Sequence, residues 1–166
     1  KVYTALYFNE LMDLMVPEGQ RNEELFNFFL EAIEGIQKGL NVYTICSLFE
    51  IRVMALTGYA PRLDLCAVCK KPPERENICY SFYKKSVICS NCGKHYKPGL
   101  WIQPGTFNYI RKLSTISVAQ SERLKIPKKL EKEIETLIHR IVQIQLGHEP
   151  KTYPFIKKME ESLLTP

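Results

Sequence analysis

The sequence contains no apolar run near the about 20 residues that a membrane-spanning helix needs, and no opening stretch of signal-peptide character. The compartment expected is therefore the cytoplasm, where thiols stay reduced and structural disulfides are rare. Also missing are the motifs that mark common catalytic sites: a Gly-rich phosphate loop, a nucleophile elbow, a His-Glu-x-x-His and a paired acidic motif. An enzymatic reading thus lacks its chemistry, and the chain is expected not to be an enzyme, although active sites also assemble from residues distant in sequence. His139 and His148 do not stand at metal-ligand spacing. An initiator Met is lacking too. Lys1 runs straight into the helical pattern Val2-Tyr3-Thr4-Ala5-Leu6-Tyr7, so further chain is expected before it.

What is present fits one sizeable domain plus a small insert: 166 residues, 45% hydrophobic and 25% charged. Cys66-Ala67-Val68-Cys69 and Cys89-Ser90-Asn91-Cys92 form two Cys-x-x-Cys pairs separated by nineteen residues, the spacing of a zinc ribbon. Two residues between cysteines let a tight turn aim both sulfurs at one point, and a short hairpin brings the second pair opposite the first. Four thiolates then close a tetrahedron around Zn²⁺. Such a site keeps no open position for water or substrate, so its metal holds structure. The alternatives are two disulfides or a ribbon that has lost its metal. Cys79 lies outside both pairs and reads as a strand residue, or as a competing ligand in an unusual register. His95, three residues beyond Cys92, is a substitute ligand on spacing alone. Cys46 reads as a small buried hydrophobe rather than a reactive thiol.

Helical periodicity organises the rest. A first helix over residues 2–16 ends before Pro17. Asn22 caps a second, with Glu23 and Glu24 in its first turn and Gly39 as its stop; its phenylalanines predict deep burial. A third runs from about Asn41 to Thr57, its apolar pattern interrupted by Glu50 and Arg52. Pro72-Pro73 excludes helix from the insert, while Ile78–Tyr83 and Ser86–Ile88 read as strands with Lys84-Lys85 near their turn. Trp101-Ile102 is a short apolar segment, Pro104 opens a helix with Phe107 and Ile110, and residues 114–126 form a linker. Pro127 opens the clearest helix, ended by Gly147, and residues 155–164 form a last short one. The fold expected is mainly α: a helical bundle, residues 1–63 and 99–166, with an inserted Cys₄ zinc ribbon and short β-hairpin at residues 64–98.

Net charge is +5, and residues 64–98 carry an excess of four positive charges through Lys70, Lys71, Arg75, Lys84, Lys85, Lys94 and Lys97. Those cations suit phosphates, without base specificity, or else simply a solvated surface. Tyr80, Phe82 and Tyr83, interleaved with lysines, suit stacking of single-stranded bases, or else packing against the helical body. Two further classes stay open: a purely protein-binding module, and a thiol–disulfide enzyme, which needs an accessible low-pKa cysteine.

Several ordered motifs together resemble the C-terminal region of the RecO family of bacterial recombinational-repair mediators. They are Tyr7-Phe8-Asn9-Glu10-Leu11, Asn22-Glu23-Glu24-Leu25-Phe26, Phe49-Glu50-Ile51-Arg52 running into Leu56-Thr57-Gly58-Tyr59-Ala60-Pro61 and the first cysteine pair, Gln103-Pro104-Gly105-Thr106, and Leu146-Gly147-His148-Glu149-Pro150-Lys151. Lys151-Thr152-Tyr153 stands where that family usually has Lys-Ser-Arg, and the family's N-terminal OB-fold is missing. The resemblance implies a non-enzymatic bacterial mediator, nucleoid-associated during repair. Such a mediator binds single- and double-stranded DNA, anneals complementary strands, engages the C-terminal tail of single-stranded-DNA-binding protein, and works with RecR to load RecA. An acidic tail with an apolar end requires a greasy pocket with a cationic rim. Phe49, Arg52 and Val53, with Leu56, are the candidates on the third helix; the alternative is that Arg52 only covers core or pairs with Glu50.

Overall fold

The computed structural model describes residues 1–19, 21–73, 77–95 and 99–164, with side chains through residue 158. Arg75 and Lys97 of the basic set fall outside them. Helix α1 (Val2–Met15) ends at the residue before Val16-Pro17. Helix α2 (Glu23–Lys38) starts where the Asn22 side chain accepts from the Leu25 N–H at 3.0 Å. It stops at Gly39, whose φ of 85° is the left-handed conformation that glycine adopts freely. Asn41 caps α3 (Val42–Leu56) in the same way, accepting from Thr44 N at 3.0 Å.

Helix α3 is the axis of the molecule. It is apolar on nearly every side, from Ile45 and Leu48 to Phe49, Ile51, Val53 and Met54, and a helix greasy all round must be enclosed. Helices α1 and α2 cover it, as do α5 (Pro104–Leu113), α6 (Val118–Ser121) and α7 (Lys128–Leu146). At its centre Phe49 stacks on Phe8, ring centroids 4.1 Å apart, with Phe28 and Phe29 beyond. Helix α2 is less buried than its composition predicts: Phe26 is 55% exposed and Leu30 44%. Its covered faces are those turned to α3, α1 and α6, and Phe26 lies on the side that meets solvent.

The two strands of the insert belong to a three-stranded antiparallel sheet, not a lone hairpin. Strands β1 (Ile78–Ser81) and β2 (Ser86–Ile88) are joined by the third strand β3 (Leu100–Ile102), in the order β2-β1-β3. Its two faces differ. Ile78, Tyr80, Val87 and Ile102 belong to the main core, whereas Cys79 and Ile88 form a small second cluster with Cys66. The ribbon is thus seated on the helical body through one face and carries the cysteine cluster on the other. Gly99 permits this seating, because a Cβ there would lie 2.5 Å from the Tyr80 carbonyl oxygen and 2.3 Å from Cys79 Sγ.

The last helix, α8 (Tyr153–Leu164), is moored by a residue far upstream. The Glu10 carboxylate accepts from the N–H groups of Lys151 at 2.7 Å and Thr152 at 2.9 Å, and from the Thr152 hydroxyl. Burial pushes its pKa up, but those donors outweigh burial and hold it below the usual carboxylate range. A carboxylate with a depressed folded pKa stabilises the fold above its unfolded pKa of about 4.3, and that contribution is lost as pH falls through the folded value. Glu10→Gln is expected to lower stability at neutral pH by about 1–2 kcal/mol, the scale of hydrogen bonds to a charged group. In thermal melts the gap between the two proteins should close as the pH drops below about 4.

Candidate metal centre and basic ribbon

Two turns present the cysteines. In the first, Lys70 N–H donates to the Cys66 carbonyl at 3.0 Å and Cys66 N–H to the Lys71 carbonyl at 2.8 Å, so the chain folds back around Cys66 and Cys69. This bend places Lys70 at φ 62°, an uncommon conformation for a residue with a side chain. The second is a single helical turn, α4 (Ser90–Gly93), closed by Gly93 N–H to the Cys89 carbonyl at 2.8 Å. Ala67 N–H donates to the Val87 carbonyl at 2.8 Å, which locks the first turn onto β2.

The four sulfurs of Cys66, Cys69, Cys89 and Cys92 all lie within 4.8 Å of one another. Cys69 Sγ and Cys89 Sγ are 3.8 Å apart, the edge of a tetrahedron whose metal–sulfur distance is about 2.3 Å. A disulfide requires about 2.05 Å, and the cysteines are free thiols, so the alternative of two disulfides is not the arrangement found. Cys79 sits in β1 as a buried strand residue, and burial raises its pKa.

Electrostatics favour a cation at the centre of the cluster. Burial pushes the Cys66 thiol up, but N–H groups of Cys89, Cys69 and Val68 directed at its sulfur outweigh burial and bring it down to about 6. Cys92 is pushed up to about 12, first by its hydrogen bond with Cys89, then by burial and the remaining cysteines. Four sulfurs this close cannot all ionise unless a positive ion neutralises them. Four cysteine sulfurs in this arrangement can hold a metal ion, and the donor set is that of a closed structural site.

The basic residues fall into separate groups. Lys70 and Lys71 flank the first turn and Lys94 follows the second, all exposed. Lys84 and Lys85 lie at the β1–β2 turn, where Lys85 reaches α7 through Gln145 Oε1 at 2.9 Å. The interleaved aromatics divide: Tyr80 is core, Phe82 packs edge-on against it at 5.3 Å, and Tyr83 is 91% exposed.

The third-helix pocket is corrected by burial. Phe49 and Val53 are fully enclosed in the main core, so they offer no wall to a peptide. Arg52 and Leu56 are only partly buried. The Arg52 guanidinium donates to the Ile116 carbonyl at 3.1 Å, lies over the Phe28 ring, and approaches Glu24 at 3.8 Å. Its acidic neighbour is therefore Glu24. Glu50 turns inward instead, accepting from the Tyr7 hydroxyl and standing 3.2 Å from His139 Nδ1. The sequence signal for that buried cluster was the acid that broke an apolar helical pattern.

Comparison with known proteins agrees with the geometry. The family profile described as Recombination protein O C terminal matches residues 1–154. The chain belongs to the RecO C-terminal family. Among its relatives, the DNA repair protein RecO of Desulforamulus reducens is 26% identical over 99% of this chain and 64% of that protein. The DNA repair protein RecO of Caldicellulosiruptor saccharolyticus is 24% identical over 94% of this chain and 62% of that protein. That of Dehalococcoides mccartyi strain BAV1 is 31% identical over 89% and 58%. The chain therefore spans less than two thirds of the RecO relatives' length and corresponds to their C-terminal region. Among the described residues, no helix is long and apolar enough to cross a membrane.

Proposed function

We propose that this chain is the helical and ribbon part of a RecO-type mediator of recombinational DNA repair. In this reading it is a non-catalytic adaptor in a bacterial cytoplasm. It binds single- and double-stranded DNA, assists annealing, and engages RecR and the C-terminal tail of single-stranded-DNA-binding protein to promote RecA loading. Zn²⁺ bound by Cys66, Cys69, Cys89 and Cys92 holds the ribbon in shape, and the ribbon's lysines meet phosphate. The observation that carries the reading is the family match along nearly the whole chain, together with a closed four-sulfur cluster beside exposed lysines. For the tail peptide, Arg52 and Leu56 are what α3 leaves within reach.

A gel shift on this chain separates DNA contact from a purely protein-binding role. If Lys70, Lys71, Lys84 and Lys85 each neutralise one phosphate, raising salt from about 50 to 200 mM should weaken their share of single-strand binding by about 50-fold. Replacing all four with alanine should flatten the plot of log affinity against log salt by about three. An unchanged slope in the quadruple variant removes the ribbon from the DNA interface.

A further inference from the structure

A cleft of about 820 Å³ has no cysteine in its lining. One wall is α7, the others are the start of α3, the first turn of α8, and Phe82 and Leu100 of the ribbon. Its volume is in the range of small-ligand sites, about 300–1,000 Å³. Four cations line it: Lys128, Lys132, Arg140 and Lys157. Against them stand Glu131 and Glu135, and Glu135 is already engaged by the Tyr153 hydroxyl at 2.5 Å. Tyr43, Phe82 and Leu100 supply apolar surface.

A buried histidine also borders the cleft. His139 lines it and is only 4% exposed, with its ring stacked on Tyr153, over which Lys157 Nζ sits at 5.1 Å. The Tyr7 hydroxyl donates to Glu50, and His139 Nδ1 faces the same carboxylate oxygen, so Nδ1 carries a hydrogen. Nε2 is buried without a hydrogen-bond partner, Glu149 standing 3.5 Å away.

We infer that this cleft accommodates a nucleotide unit of single-stranded nucleic acid, its base against the apolar wall and its phosphates on Lys132 and Arg140. The inference rests on the DNA-binding reading above and deepens it. Excess positive charge selects an anion, while the flat apolar surface suits a base, whose π-face stacks on aromatic rings whatever its identity. The two carboxylates discriminate further: an acidic peptide meets Glu131 and Glu135 as like charges along its length, whereas a nucleotide carries charge only on its phosphate and turns a neutral base toward them. The path also continues. Phe82 is followed by Tyr83, 91% exposed, and then by Lys84 and Lys85, so a strand leaving the cleft meets a free ring and two ammonium groups. A paired base cannot enter such a cleft, and the site is therefore selective for single strands.

The test is a titration of labelled oligothymidylate and of a blunt duplex of equal length, with the chain and with its Lys132→Glu/Arg140→Glu variant; both positions are exposed. Single-strand affinity should fall about tenfold or more and duplex affinity by less than about twofold. An oligonucleotide with abasic sites in place of its bases, which leaves the protein untouched, should lose about tenfold on the parent chain and much less on the variant. Equal losses on both DNA forms would reduce the cleft to a plain basic surface. Unchanged binding in this variant, while the ribbon-lysine variant fails, would place DNA on the ribbon alone. An acidic peptide whose binding, unlike that of the strand, depends on Lys132 and Arg140 would give the cleft to a protein partner. No shift of either DNA by the parent chain would sink the DNA-binding reading itself.

Discussion

Stripping the proposed Zn²⁺ with a strong chelator is expected to melt the two cysteine turns, residues 66–71 and 89–94, while α1, α2, α3 and α7 stay folded. Metal binding in small zinc domains supplies about 10–16 kcal/mol, which largely becomes folding free energy. Here the cluster of Cys66, Cys79 and Ile88 is too small to hold those turns alone. The strands are placed differently, since Ile78, Tyr80, Val87 and Ile102 lie in the main core. Amide exchange should therefore rise by orders of magnitude in the turns and far less in β1, with Cys89→Ser reproducing the pattern. Proton linkage gives an independent check. Cys92, pushed up to about 12, must release its proton when metal enters, so calorimetric heats of metal uptake should depend on the buffer's ionisation enthalpy. The depressed Cys66 contributes fully above its unfolded pKa of about 8.5, and that contribution is lost as pH falls through about 6. Metal retention should fail in that direction. Exchange that is unchanged after verified metal removal would show that the ribbon is held by packing alone.

What was legible in the sequence is what is decided locally. Asn22 and Asn41 cap helices through bonds only three residues long, and Gly39 and Gly147 end them by taking positive φ, so the helix boundaries follow from neighbours in the chain. The four-cysteine cluster was legible for a related reason, because each pair is a local turn and only the meeting of the two pairs is distant. Strand β3 was not, since three residues of Leu-Trp-Ile form a strand only by pairing with β1, Cys79 opposite Trp101. Burial around α3 was misjudged in part because periodicity reports a greasy face and not how many neighbours cover it. Phe49 and Val53 share that greasy face, and the main core encloses both. The cleft, likewise, is lined by residues from Asn41 to Lys157, which no local pattern brings together.

Removing the buried carboxylate should cost the fold nearly as much as any single change outside the metal site. Glu50 is 1% exposed and joins three helices distant in sequence: Tyr7 of α1 donates to it, and His139 of α7 stands 3.2 Å from it. Burial first, and then the Glu50 charge, raises the Tyr7 pKa well above the ordinary phenol value, so the tyrosine remains a neutral donor at every physiological pH. Glu50→Ala leaves the Tyr7 hydroxyl and His139 Nδ1 facing each other in a dry core. Leaving two buried donors without their acceptor costs about 1–3 kcal/mol each, a large part of the about 5–15 kcal/mol that a domain possesses. Tyr7→Phe removes one bond and should cost only about 1 kcal/mol. In urea denaturation the double variant should lose less than the sum of the two single losses, because Glu50→Ala already removes the carboxylate that the Tyr7 hydroxyl donates to. The consequence reaches the cleft, where Glu50 holds the hydrogen of His139 on Nδ1. If Glu50→Ala unfolds within about 1 kcal/mol of the parent chain, the cluster does not tie the three helices together, and His139 is oriented by its stacking on Tyr153 instead.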